Sequence, residues 1–277
     1  MRLKPLHTME QAERGLGYAI NQLSNARSSG YPGPGPLHTY LETVDEVLPH
    51  LEPFAEPDLV AHLQSTAYWH LFAVTDMTNA PSPRPVYREL DVQIAALEQA
   101  QVQLRTIKAL AQRPGLPVVL DTNVVLNAKP FSDIDWARVW RIGGVSVESA
   151  RLVVPLAVVE ELDRQKWAGG RRSELAGAAI KYLERTLFGA KPNEQVPVDA
   201  ARRPGVTLEV WMPNHSTTVD ADTQILLTAG DIHQLNPAAG TTVLSNDANV
   251  RLRARQFGLS ALRLEDTDLK LEAPAKQ

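Results

Sequence analysis

Four carboxylates recur in the second half of the chain at places where elements of secondary structure end. Asp121 closes the run Pro-Val-Val-Leu-Asp-Thr-Asn (117–123), and Asp247 closes Thr-Thr-Val-Leu-Ser-Asn-Asp (241–247). A short β-branched apolar run that stops abruptly at an acid has the pattern of a buried parallel strand delivering a carboxylate to the rim of a sheet. In open α/β sheets that rim is where ligands sit. Between the two runs lie helix-like segments carrying Glu161 and Asp222. Carboxylates held within a few ångströms of one another repel, and their pKa values rise unless a divalent cation neutralises them. Hard oxygen donors select Mg²⁺ or Mn²⁺. Such an ion activates a water and stabilises charge on a phosphodiester undergoing in-line displacement.

Each acid taken singly also has a bland reading. Asp121 and Asp247 fit strand-end caps, Asp222 a first-turn acid beside an N-capping Asp220, and Glu161 a solvated helix residue. The weight falls on the metal site because four such explanations would have to hold independently where one site needs acids. Ser245 and Asn123 could orient ligands or water, or cap turns; both readings stand. Glu160 and Glu161 flank the apolar side of their helix on opposite edges, and only the small Ala157 beneath Glu161 tips the wheel towards it. Basic groups flank the acids: Arg164, Lys166, Arg171 and Arg172 with Trp167 on one side, and Arg251 and Arg255, sharing a helix face, on the other. They suit phosphate binding and equally suit a solvated face.

The elements that must position these groups divide in two. Residues 1–113 read as four helices: one opened by the capping box at Thr8 to Gln11, one by Thr39 with Glu42, one from Pro57 to about Asn79, and a long one from Val86 to about Gln112. The Pro- and Gly-rich stretch 28–36 reads as a loop, and Pro81, Pro83 and Pro85 as a further break. Arg-Pro-Gly-Leu-Pro (113–117) marks the boundary. Residues 114–266 alternate strand and helix patterns, with strands at 117–121, 151–154, 206–212 and 241–246, a loop after Asp121, helices near 133–142, 156–167, 173–188, 220–235 and 248–257, and an edge strand at 262–264. The expected class is α/β, a mostly parallel sheet sandwiched by helices, preceded by an all-α module. Residues 191–204 read as a mobile excursion, and 267–277 as a disordered tail.

Composition bounds the function. The 277 residues include 44 % apolar types, enough for two cores, and no cysteine, so thiolate zinc sites and disulfides are excluded. A net charge of −4 opposes coating of nucleic acid by bulk charge. No stretch reaches the roughly 18 apolar residues of a membrane span, and the start lacks a secretory apolar core. A cytoplasmic protein without membrane contact is expected.

The set Val-Leu-Asp-Thr-Asn-Val (119–124), Val-Pro-Leu-Ala-Val-Val-Glu-Glu-Leu-Asp (154–163), Asp-Ala-Asp-Thr-Gln-Ile-Leu (220–226) and Leu-Ser-Asn-Asp-Ala-Asn-Val-Arg-Leu-Arg-Ala (244–254) resembles a PIN domain, in order and context, over about 117–264. Glu-Leu-Asp and Asn-Asp-x-Asn-Val-Arg look closer to the PIN domains of RNA-decay endonucleases than to the smallest toxins. The resemblance implies Asp121, Glu161, Asp222 and Asp247 as metal ligands and catalytic acids, with Mg²⁺ or Mn²⁺ as cofactor. It favours Glu161 over Glu160. It implies an endoribonuclease acting on RNA that leaves a 5′ phosphate and a 3′ hydroxyl. A catalytically silent scaffold or RNA-binding module, or a structure-specific DNA nuclease, are the alternatives. A haloacid-dehalogenase-like phosphatase is disfavoured because Asn123 stands where its second Asp belongs. The N-terminal helices carry no motif; a protein inhibitor or partner, or a second copy of the chain, would dock there.

Overall fold

A computed structural model describes residues 3–4, 7–28, 35–54, 57–74, 83–212 and 219–270. Most of the Pro- and Gly-rich loop, the break at Pro81 and the chain end after Lys270 lie outside the described residues. The chain forms two compact units, Met1–Ala109 and Leu110–Gln277.

The first unit is helical: α1 (Met9–Ser28), α2 (Pro36–Val47), a 3-10 turn Leu48–Leu51, α3 (Pro57–Leu63), α4 (Thr66–Ala73) and α5 (Pro83–Ala111), whose last two residues belong to the second unit. The capping box at α1 forms as expected: Thr8 N–H donates to Gln11 Oε1 at 2.8 Å, and Gln11 N–H to Thr8 Oγ1 at 3.2 Å. Two expectations are corrected. The second helix begins at Pro36, ahead of Thr39, because proline suits the first helical turn. The third is two helices, since Ser65 accepts the Tyr68 N–H at 3.1 Å and so starts α4 afresh. The core is built from Leu16, Leu23, Val44, Leu90, Leu97 and Leu104. Gln93 is buried among them and donates to Tyr40 Oη, the Leu63 carbonyl and Glu89. Trp69 and Phe72 on α4 remain exposed.

The second unit is a six-stranded sheet flanked by helices. In chain order it runs β1 (Leu116–Leu120), α6 (Thr122–Asn127), α7 (Trp136–Ile142), β2 (Ala150–Pro155), α8 (Leu156–Lys166), α9 (Gly170–Thr186), β3 (Val196–Pro197), β4 (Val206–Trp211), α10 (Ala221–Leu235), β5 (Thr242–Leu244), α11 (Ala248–Gln256) and β6 (Ser260–Leu262). The strand order is β3-β4-β2-β1-β5-β6, parallel throughout except for β3. This is the α/β architecture expected. Val118, Val119 and Leu120 are fully buried because helices cover both faces; each such side chain contributes about 1.5–3 kcal/mol. The chain winds from β1 through β2 to β4, then returns to β5 on the other side of β1. The crevice between β1 and β5, at their C-terminal ends, is therefore the topological switch point.

Four details differ from expectation. No loop follows Asp121, because α6 starts at the next residue. Residues 191–204 contribute β3, paired antiparallel with β4. Residues 267–270 are not tail: Asp268 is buried on Arg138 at 2.6 Å, and Lys270 N–H donates to the Asn127 carbonyl at 2.8 Å. The edge strand expected at 262–264 is β6 at Ser260–Leu262. Within β2, Arg151 is 0 % exposed beside Glu209 of β4, 1 % exposed, at 3.5 Å. Arg151 Nη1 donates to the Leu110 carbonyl at 2.6 Å, and Arg113 Nη1 reaches Glu209 at 3.2 Å. Burial pushes the Glu209 carboxyl up, and the two guanidinium groups pull it back.

Candidate functional site

The end of β1 and the end of β5 are joined around Asp121. The Asp121 N–H donates to the Leu244 carbonyl at 3.0 Å, extending the strand pairing by one residue. Its side chain is 1 % exposed. The buried Ser245 hydroxyl donates to Asp121 Oδ2 at 2.6 Å and accepts the Asp247 N–H at 3.0 Å. Arg251 Nη1 donates to the Ser245 carbonyl at 2.9 Å, so this cation braces the strand end. Asp121 Oδ1 is buried with no hydrogen-bond partner among the described residues. Burial pushes the Asp121 carboxyl above its ordinary range; the Ser245 hydroxyl and the N–H groups of Asn123 and Thr122 pull it down, and Glu161 pushes it up. The Asn123 side chain is half-buried and makes no side-chain hydrogen bond among the described residues.

Glu161 enters from α8, which starts where β2 ends. Thr122 Oγ1 donates to Glu161 Oε2 at 2.6 Å, and Gln165 Nε2 donates to Oε1 at 2.7 Å. Arg172 Nε donates in turn to Gln165 Oε1 at 3.1 Å. Glu160, its neighbour, is exposed. Asp222 lies in the first turn of α10, and its carboxyl is raised, first by burial and then by Asp121, Asp220, Asp247 and Glu161. All the other acids therefore act on this one carboxyl. Asp220 is the N-cap: its oxygens accept the Thr223 N–H at 2.9 Å and the Thr223 hydroxyl at 2.7 Å, which hold its carboxyl below the usual range. Asp247 is exposed and caps α11, accepting the Asn249 N–H at 2.7 Å.

Among the described residues no three His, Asp or Glu side chains, as placed, stand close enough to hold one metal ion. Repulsion between ionised carboxylates opposes a closer approach. The donor set nonetheless fits a hard divalent cation: every donor is a carboxylate oxygen, and Asp121 Oδ1 is a buried acceptor with nothing to accept from. A cleft of about 570 Å³ lined by Trp136, Trp140, Arg141 and Arg203 lies at the starts of β2 and β4, the other end of the sheet from the acids.

The basic groups are not equivalent. Lys166 faces Asp163 at 3.8 Å on the surface, whereas Arg164, Arg171 and Arg255 are exposed. Arg172 alone among them is tied to an acid of the cluster, through Gln165. Thr122 and Gln165 were missed in the sequence. Thr122 directly follows Asp121, and Gln165 stands four residues after Glu161 on one helix face, which is the signal that would have found it. Arg253, which follows Asp247 with Arg251 and Arg255 as a basic group flanking the acids, donates from Nη2 to Thr223 Oγ1 at 2.8 Å and links α11 to α10.

No curated protein matches the chain. Among solved structures, a domain of a functionally unknown protein from Methanocaldococcus jannaschii DSM 2661 aligns at 19 % identity with a TM-score of 0.36, covering 57 % of this chain and 98 % of that one. A family model described as PIN domain matches residues 118–265, more than half of the chain. Proteins of this kind are generally nucleases that bind nucleic acid and use divalent metals. The matched span starts inside β1 and ends after β6, so it contains every acid of the switch-point crevice, and the chain belongs to the PIN-domain family.

Proposed function

We propose that the protein is a divalent-metal-dependent endoribonuclease of the cytoplasm that hydrolyses RNA and leaves a 5′ phosphate and a 3′ hydroxyl. The observation that carries this reading is Asp121: a buried carboxylate with one oxygen held by Ser245 and the other unpartnered, in a crevice where burial and neighbouring acids also raise Asp222. Asp121, Glu161, Asp222 and Asp247 would hold Mg²⁺ or Mn²⁺. When bound, the ion supplies a more acidic water and charge neutralisation at the phosphodiester. The protein's own part is orientation. Ser245 fixes Asp121, Thr122 and Gln165 fix Glu161, and the crevice between β1 and β5 aligns the scissile phosphate with the carboxylates. A second reading, a silent RNA-binding module, draws on Asp247, whose carboxylate already caps α11.

Incubating the full chain with single-stranded RNA, duplex RNA and single-stranded DNA, in Mn²⁺ and in EDTA, and mapping the ends tests the proposal. Internal cuts in RNA that need Mn²⁺ and carry 5′ phosphates support it. Cleavage that survives exhaustive chelation overturns it, and Mn²⁺-dependent binding without cleavage favours the silent module.

A further inference from the structure

Trp167 follows the last residue of α8 and is 77 % exposed, although an indole of this size ordinarily hides most of its surface. Its ring carries Lys166 Nζ at 5.3 Å from the centroid, and Arg164 and Arg171 flank it in the chain. Exposure alone would leave the ring without meaning. What connects it to the acids is the bridge on the same corner: Glu161 accepts from Gln165, and Gln165 accepts from Arg172 at the start of α9. That bridge uses only Arg172 Nε; its two outer nitrogens have no acceptor among the described residues. Trp167 stands six residues beyond Glu161, about 9 Å along the helix axis, roughly the length of two to three stacked nucleotides.

We propose that the α8–α9 corner is a nucleotide subsite: the Trp167 indole stacks on an unpaired base, and the outer nitrogens of Arg172 pair with a backbone phosphate. Gln165 holds the guanidinium in register with Glu161. The occupant is single-stranded nucleic acid, because a flat exposed ring beside the Lys166 ammonium, with Arg164, Arg171 and Arg172 close in sequence, offers a base a face and its phosphates counter-charges, and a duplex presents no free base face. The subsite rests on the nuclease reading for its direction, since it sets how far from the carboxylates a strand is gripped. It would make the cut fall at a fixed offset from the gripped base.

The test is equilibrium binding of a fluorescein-labelled oligouridylate, about twelve nucleotides long, to the full chain in EDTA, where no turnover occurs. Trp167→Ala should weaken binding about 5- to 150-fold, the range that stacking on one base is worth, and Trp167→Phe should recover most of the loss. Arg172→Gln should flatten the dependence of log Kd on log salt by about 0.7, one phosphate contact on a single strand. An abasic oligonucleotide of equal length should bind wild type and Trp167→Ala alike. Unchanged affinity in Trp167→Ala overturns the subsite, including the case where the ring serves a protein partner instead. An equal loss for the abasic probe also overturns it. The nuclease reading fails separately: a chain that binds in this way and never cuts keeps the subsite, and one that cuts with unaltered Kd and cut positions in Trp167→Ala loses it.

Discussion

Ser245→Ala isolates the one side-chain hydrogen bond that holds the buried Asp121 carboxylate among the described residues. Ser245 is 0 % exposed, and its hydroxyl lies 2.6 Å from Asp121 Oδ2, while Oδ1 already lacks a partner. The substitution leaves a carboxylate that is 1 % exposed with no side-chain donor. A hydrogen bond to a charged group is worth about 1.5–3 kcal/mol. The Asp247 N–H, on a residue that is itself exposed, loses the same oxygen as acceptor and can turn to water. At about 2–4 °C per kcal/mol for a unit of this size, Tm should fall by about 3–12 °C. The effect has a definite pH dependence. Burial raises the Asp121 pKa and Ser245 lowers it, so the variant's pKa lies above that of the wild type. The wild type then binds fewer protons between the two values, and its advantage grows as pH rises through that window and stays constant above it. Below the wild-type value the carboxyl is neutral in both proteins and the advantage disappears. Circular dichroism melts in EDTA at about pH 8 and about pH 4 measure both quantities. Mn²⁺ affinity, by calorimetry, should drop about 10- to 100-fold, as for loss of a group that orients a ligand. An unshifted Tm at the higher pH, or the same shift at both, would refute the reasoning, since the second result means lost packing and not a lost anion partner.

Three further outcomes are expected. Glu161→Gln should lower the cleavage rate by about two orders of magnitude at saturating Mn²⁺, while Glu160→Gln, on the exposed side, leaves it nearly unchanged; the reverse ranking would mean that Thr122 does not mark the catalytic edge of α8. In EDTA, Asp222→Asn should be more stable than wild type at pH 8: the raised Asp222 pKa means the native state loses stability as pH rises from the ordinary carboxylate range through the raised value, and the variant escapes that loss. Equal melts at pH 8 would show that the acids do not repel one another. A fragment beginning at Leu110 should unfold cooperatively and at higher temperature than one beginning at Pro114, because the Leu110 and Ala111 carbonyls receive Arg151 and Asn236 and Arg113 pairs with Glu209; identical melts would make all three interactions irrelevant.

The sheet was readable because a parallel strand covered on both faces must be a largely apolar run, which β1 is and which β2 is from Leu152 onward. Asp121 and Asp247 were readable at the ends of the β1 and β5 runs, and Asp220 as a cap because Thr223 follows at capping distance. The rest depended on partners far apart in the chain. Nothing near Ser245 announces that its hydroxyl serves Asp121, since the two are 124 positions apart. Nothing near Arg251 in the sequence announces that its Nη1 serves the Ser245 carbonyl at the strand end. Arg151 interrupts an apolar strand, and only Glu209, Arg113 and the Leu110 carbonyl account for it. The Ser65 break was a contest between two local signals, apolar helical spacing and an N-cap, and the cap prevailed.

The strand order also sets when the crevice can exist during synthesis. Asp121, Glu161 and Asp222 leave the ribosome before β5 does, yet the groove that gathers them has no second wall until β5 lies against β1. Until then Asp121 lacks the Leu244 carbonyl and the Ser245 hydroxyl. On the proposed reading, the carboxylates can gather a metal ion only after β5 has been made.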